Sequence, residues 1–414
     1  MAIGDWVKRY LVDTRPLETP AYRRLWFGQA VSHVGMAVTV VAASQQVWVL
    51  TESSLWVGFL SLANLIPLVV FGLWGGAVAD VMDRRKLLII GSLIAWTSTL
   101  LILLQALLDL RSVHLLLGLM AVNATGFAIT SPTRGAIIPR ILPAERVPAA
   151  NALQSLVYSV GAVAGPMIGG VMLASAGFAA AYAVDAVLFS AGLYAALRLP
   201  ALPPTGGVAK PGAKVVLEGL RYILVTPVLL MSFVVDIIAM VFALPRALFP
   251  ELAATRFGGD EVVLGWLNSA MAIGSVTGAL FSGRVTRVTR QGLALTLVIA
   301  VWGMSVVAAG LVHSLWLVVA FLAVGGAADV ISSVWRQSIL QLHAPDEMRG
   351  RMQGVFMVVV AGGPRLGDLR AGATATVFGL TGAWVGGGLA CAVAVLIVGL
   401  AVPSFRNYRS GRGK

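Results

Sequence analysis

The stretch Gly161-Ala-Val-Ala-Gly165-Pro166-Met-Ile-Gly169-Gly170 lies inside an apolar run from Asn151 to Leu173, long enough to cross a bilayer as one helix. Small residues four apart let a second helix approach closely, as at helix interfaces in membranes. Pro166 removes an amide donor and crowds the preceding turn, so a bend near Gly165 is expected. A bent, glycine-lined helix among bulky apolar ones suits two rigid halves that must close tightly at one end. Glycine and proline are also commoner in membrane helices in general. The remainder of the chain therefore has to decide what this helix is for.

That remainder is equally apolar: 58% of the 414 residues are hydrophobic, 12% are charged, and the mean hydropathy is +0.89. So little charge cannot coat a soluble protein, and the composition excludes disorder, a collagen repeat and a disulfide scaffold. Apolar segments fall at 25–49, 55–79, 87–108, 113–136, 151–173 and 178–197, then at 226–249, 262–283, 292–311, 315–339, 352–375 and 380–401. The fold class expected is an all-α polytopic membrane protein with 12 transmembrane helices. A helix-stopping stretch from Pro200 to Lys214 separates two sets of six. It divides the chain into a bundle at 1–198, a cytoplasmic linker at 199–224 and a second bundle at 225–414. Met1 to Thr19 carries acids and a proline without an apolar core, so it does not read as a signal peptide.

The formal charge of +12 is unevenly spread. Alternate loops, the lead, the linker and the tail hold 23 Lys and Arg, whereas the opposite face holds only Arg111 and Arg256. By the positive-inside rule both termini face the cytoplasm, and the basic surplus marks topology rather than nucleic-acid binding. The lone Cys391 reads as a buried apolar side chain, which leaves redox chemistry and thiolate metal sites without support. No histidine has a metal-ligand partner at useful spacing, and no phosphate-binding Gly-x-x-x-x-Gly-Lys-Ser/Thr loop is present. Neither a cofactor nor a metal is expected. With no nucleophile and base set in view, an enzyme is not expected either.

The halves repeat each other at fixed offsets. Thr19-Pro20 and Gly58 recur 207 residues later as Thr226-Pro227 and Gly265. Arg134, Pro143, Glu145 and Gly161 recur 202 residues later as Arg336, Pro345, Glu347 and Gly363. A duplicated six-helix unit with a site between its copies is a transporter architecture that works by rocking of the halves.

At the junction of the second and third spans the chain reads Gly75-Gly-Ala-Val-Ala-Asp80-Val-Met-Asp83-Arg84-Arg85-Lys86. This resembles the Gly-x-x-x-Asp-Arg-x-Gly-Arg-Arg signature of the major facilitator superfamily, beginning at Gly76, with Val81 where Arg is usual and Asp83 where Gly is usual. Gly161 to Gly170 resembles the Gly-Pro-containing fifth-span motif of its antiporters and efflux members. Gly169-Gly170-Val-Met-Leu-Ala, Leu248-Phe-Pro-Glu-Leu-Ala253, Gly265-Trp-Leu and Pro345-Asp-Glu-Met-Arg-Gly-Arg-Met-Gln353 are similar to the enterobactin-type siderophore exporters and related drug:proton antiporters. The resemblance implies the major facilitator fold and an exporter. It leaves open a siderophore or a drug of the macrolide or tetracycline kind as substrate; an uptake symporter is disfavoured by the fifth-span motif.

Physical reading of the residues runs beside the resemblance. Asp80, near a helix C-terminus, needs a compensating cation such as Arg84 or Arg85, or the next helix N-terminus. The group is either a charge latch between the halves or a basic loop that fixes topology. Gly363 and Gly367 of the eleventh span match Gly161 and Gly165, and Asp368 stands where Pro166 does. Charges at membrane depth face a cavity or a partner. A carboxylate there is pushed towards its neutral form by desolvation and towards its charged form by a nearby arginine. Asp236, Asp368, Asp329 and Asp185 are accordingly the proton-coupling candidates. For Asp236 coupling, substrate binding and a structural hydrogen bond all remain open, with Arg365 or Asp368 as the partner expected across the bundle. For Asp185 an interhelical hydrogen bond competes. Arg134 and Arg336 are read either as snorkelling to the interface or as lining the inner vestibule, and Arg365 shares a helix face with Asp368.

Polar and aromatic groups complete the expected cavity: His33, Gln45, Gln46, Asn64, Asn123, Gln154, Tyr158, Trp266, Asn268 and Trp335. Such a wall suits an amphipathic organic molecule better than a sugar. The expected protein is a monomeric secondary exporter in a bacterial inner membrane. Its partners would be lipids, protons and an amphipathic substrate, with the proton gradient as energy source.

Overall fold

The structure, a computed structural model, describes residues 13–203, 213–281, 288–343 and 349–409; the side chains of 72–81, 213–217, 349–351, 353, 354 and 357 lie outside that description. Gly76 and Asp80 of the junction signature thus lie in helical backbone whose side-chain surroundings fall outside the description. The first half consists of α1 (Pro20–Thr51), α2 (Ser54–Val81), α3 (Arg84–Leu107), α4 (Val113–Ile141) and α5 (Val147–Leu197). A helix within the stretch assigned to the linker, α6 (Ala213–Val225), leads into the second half: α7 (Pro227–Phe242), α8 (Phe249–Arg256), α9 (Glu261–Leu280), α10 (Gln291–Leu311), α11 (Leu315–His343), α12 (Arg349–Ala401) and the short α13 (Pro403–Arg406). The repeated Thr-Pro pairs begin α1 and α7, with Pro20 and Pro227 at the first helical position, where no amide donor is needed. Asp83, Ser112 and Asp260 cap α3, α4 and α9 by accepting from backbone amides of the first turn.

Among the described residues ten helices are long and apolar enough to cross a membrane. Two of them do so twice. α5 and α12 contain 51 and 53 residues, each roughly twice what a bilayer core of about 30 Å requires. Each folds back at one glycine, Gly177 with φ 75° and Gly379 with φ 68°, in a backbone region that side chains rarely tolerate. Along the first limb of α5, Gly161, Gly165 and Gly169 lie against His33, Ala37 and Val41 in rising order. Along the second limb the order falls, with Asp185 against Gly35 and Gly192 against Gly28. The limbs thus run in opposite senses beside α1, and the chain makes twelve crossings.

The halves meet along two seams. In one, Gly265 of α9 lies against the Pro166 carbonyl and Met167, and Gly170 against the Glu261 carbonyl and Gly265. In the other, Gly58 of α2 lies against the Asp368 carbonyl and Leu369, and Gly372 against the Ser54 carbonyl and Leu55. Offsets of 207 and 202 residues convert one set into the other, except that Gly170 meets Gly265 where Gly372 meets Leu55. The duplication is therefore a pseudo-two-fold in the packing itself.

Two expectations need correction. Gly161, Gly165 and Gly169 serve packing within one half, against α1, whereas Gly170, Met167 and the Pro166 and Val163 carbonyls meet the other half. Gly363 and Gly367 likewise face Met240 and Val241 of α7 in their own half. Pro166 sits inside α5 without ending it, and the non-helical dihedrals there are those of Gly177. The seventh span is not one helix: α7 stops at Phe242, and a 3-10 turn at Arg246–Leu248 precedes α8. Arg370 holds that break open by donating to the Val241 carbonyl at 3.0 Å and the Phe242 carbonyl at 2.8 Å, so it caps a helix C-terminus rather than facing substrate.

Candidate functional site

On one side of the seams the halves part around a cavity of about 770 Å³, at the upper end of the range for organic ligands. Its floor is formed at the seams by Pro166 and Asp368, and its walls run through Leu68, Tyr158, Ala279 and Val360 towards the end that carries the α2–α3 junction. Of the residues singled out in the sequence, His33, Asn64, Asn123, Tyr158, Asn268, Asp329, Arg365 and Asp368 line it. Phe127, Met36 and Met271 supply apolar surface between them.

The charged groups sort into three sets. Asp236 of α7 is 1% exposed and forms an ion pair with Arg336 of α11, itself 4% exposed. The second Nη of Arg336 lies 3.4 Å from Asp329, one of whose faces opens onto the cavity. One guanidinium thus joins a carboxylate hidden behind the wall to one on its surface. This replaces the expected pairing of Asp236 with Arg365 or Asp368, and it removes Arg336 from the vestibule lining. The second set is Asp368, whose Oδ2 accepts from the Ser61 hydroxyl of the other half at 2.7 Å. Nearby, Ser54 donates to Glu251 across the same seam at 2.5 Å. At the symmetry-related seam the bond runs from the Ser269 hydroxyl to the Val163 carbonyl, 2.7 Å, with no acid involved. Thirdly, Arg246 reaches the cavity from the break after α7, and Arg365 does so from α12 while donating to the Ala361 carbonyl of its own helix.

Other candidates lie elsewhere. Gln46 exchanges amide hydrogen bonds with Gln105 and accepts from Tyr182 at 2.7 Å, a knot inside the first half, and Gln45 is buried beside it. Trp266 packs edge-on to Trp316 at 5.0 Å, Trp335 is buried, and Gln154 does not reach the cavity wall. Their polar or aromatic character marked them, but helix rotation turns them to neighbours. Asp185 accepts from Thr39 at 2.7 Å, and with Arg134 it lines a smaller chamber next to the cavity. At the junction, Asp83 caps α3 and accepts from the Leu202 amide at 3.4 Å. Arg84 and Arg85 donate to the carbonyls of Ala136 and Leu197 at 3.0 and 2.8 Å, all within the first half. Ser61 escaped the sequence reading altogether, since a serine in a membrane span carries no signal of its own. Arg246 stood out only as a charge.

Comparison with known proteins agrees with this architecture. Residues 13–410 match the family described as transmembrane secretion effector. The chain is 29% identical over 364 residues to the enterobactin exporter EntS of Escherichia coli O127:H6 and to that of Shigella boydii serotype 18, covering 86% of each chain. Among solved structures it resembles the nucleoside transporter NupG, with a TM-score of 0.75 at 14% identity over 94% of this chain and 99% of that one. It also resembles a bacterial homologue of the lysosomal transporter Spinster, with a TM-score of 0.72 at 16% identity over 95% and 97%.

Proposed function

This chain belongs to the transmembrane secretion effector family of the major facilitator superfamily, and on that footing we propose that it exports a siderophore or similar amphipathic organic molecule in exchange for protons. The observation that carries the exchange is Arg336 held between Asp236 and Asp329 at the cavity wall. A proton on Asp329 leaves the guanidinium wholly to Asp236; its departure restores the shared arrangement. Substrate in the cavity and a proton both meet Asp329, and through it both bear on the arginine behind the wall. The excess of Lys and Arg supports a cytoplasmic position for the open end of the cavity. Substrate enters there, the halves rock, and the two glycine seams part to release it on the far side. On that swing Asp80, with Arg84 and Arg85, would close the cytoplasmic ends.

The test uses proteoliposomes loaded with enterobactin as probe. Asp329→Asn and Asp236→Asn should keep exchange of the probe down its own gradient and lose accumulation driven by pH. Proton-to-substrate ratios equal to the parent in both variants would overturn the coupling role. Absence of probe transport by the parent would overturn the substrate class.

A further inference from the structure

We propose that the small chamber inside the first half is a second proton-binding site, with Asp185 as acceptor and His33 as its doorway from the cavity. The chamber measures about 20 Å³, room for roughly one water. α1 contributes Ser32 and His33, α4 contributes Asn123 and Arg134, and the second limb of α5 contributes Asp185. Asp185 is 1% exposed; its Oδ2 accepts from Thr39, while its Oδ1 has no hydrogen-bond partner among the described residues. The groups facing it are Thr39 and His33 from α1, Thr99 from α3 and Arg134 from α4. No second acid lines the chamber, and Arg134 forms no ion pair among the described residues, its Nε being without a partner.

A buried carboxylate oxygen without a donor is a costly arrangement unless something arrives to satisfy it. A metal ion here would lie beside the Arg134 guanidinium, and an anion would lie beside Asp185. A proton avoids both conflicts, because it neutralises Asp185 without adding a charge to the chamber. His33 lines the chamber and the cavity at once, its ring edge-on to Tyr158 at 4.9 Å. An imidazole can pass a proton between two such spaces.

The pseudo-symmetry supplies an independent reason. Arg134 corresponds to Arg336 at the 202-residue offset, whereas Asp236 corresponds to Gln29 at the 207-residue offset. Gln29 donates to the Tyr158 hydroxyl at 3.4 Å and cannot serve as the missing acid. Each half thus carries an inward arginine at this register and a buried acid, the second half having Asp368, Arg246 and Arg365 in addition. In the second half Arg336 and Asp236 close as an ion pair; in the first the acid comes from a different helix and stands across a polar space.

The site itself requires only that Asp185 bind a proton; a role in transport rests on the antiport reading. The first experiment therefore avoids transport, following the protonated-carboxyl infrared signal of purified protein in liposomes as pH is varied. The parent should show a component lost in Asp185→Asn and retained in Asp329→Asn and Asp236→Asn. An unchanged spectrum in Asp185→Asn would overturn the site, as would loss of the component on adding sodium in place of potassium, which would assign the chamber to a metal cation. If Asp185→Asn fails to fold, Asp185→Glu should shift the component, and an unshifted one would overturn the proposal. After a rapid pH jump His33→Phe should bind the proton several-fold more slowly; an unaltered rate would remove His33 as doorway. A parent that shows the Asp185 component yet moves no protons with substrate would overturn antiport and leave this site standing.

Discussion

Arg336 is the side chain whose removal should be felt most, because it lies 4% exposed with carboxylates on two sides. Arg336→Ala leaves Asp236 buried without a partner, which costs about 3–5 kcal/mol. Thermal unfolding in detergent should show the loss, and the double variant Asp236→Asn with Arg336→Gln should recover part of it. Equal losses in single and double variants would mean that the pair contributes nothing as a pair. The sequence marked both residues as charges at membrane depth but could not join them. They lie 100 positions apart on different helices, and spacing reports faces only within one helix. Asp329 and Arg336, seven apart on α11, were legible as neighbours for that reason. Gln45 and Gln46 show the converse: polarity was visible, while the direction that turns Gln46 to Gln105 and Tyr182 was not.

At the scale of the element, α5 separates two kinds of glycine that look alike in the sequence. Gly165 faces Ala37 and Val34 of its own half, and Gly170 faces Glu261 and Gly265 of the other. Gly165→Leu should therefore overpack one half and lower its stability by about 1–3 kcal/mol, with both access states destabilised alike. Gly170→Leu should leave the half intact and wedge the seam, shifting labelling of cysteines beyond the seam towards the open state. Identical labelling in Gly170→Leu and the parent would show that the seam does not gate. The break after α7 was illegible because the charge that sustains it, Arg370, comes from α12. The apolar segment 226–249 reads straight through Leu244-Pro245 in the sequence.

For the whole molecule, the offsets of 207 and 202 residues were readable before any coordinate, and they locate both seams. The cavity between them was not readable, since it exists only where the halves part. Gly58→Cys with Leu369→Cys, and Gly265→Cys with Met167→Cys, should each cross-link and arrest transport, with reduction restoring it. Cys391 is fully buried and should not interfere. Transport that continues in a cross-linked protein would mean that the seams stay closed throughout the cycle. Reporter domains fused at the C-terminus or inserted after Pro200 should both remain cytoplasmic; a reporter on the far side would reverse the cavity's orientation.

The two fold-back glycines have a consequence for how the protein meets its surroundings. With Gly177 and Gly379 serving as entire connections, and Glu52-Ser53 as another, the chain offered by the face opposite the termini is confined to short segments such as 108–112 and 257–260. Of its two basic residues, Arg256 is tied to the Gly310 and Val312 carbonyls and to Thr381, which leaves Arg111 as the one open tryptic site. Antibodies and proteases arriving from that side should find a surface nearly without epitopes, while the same reagents applied to everted vesicles should cut freely.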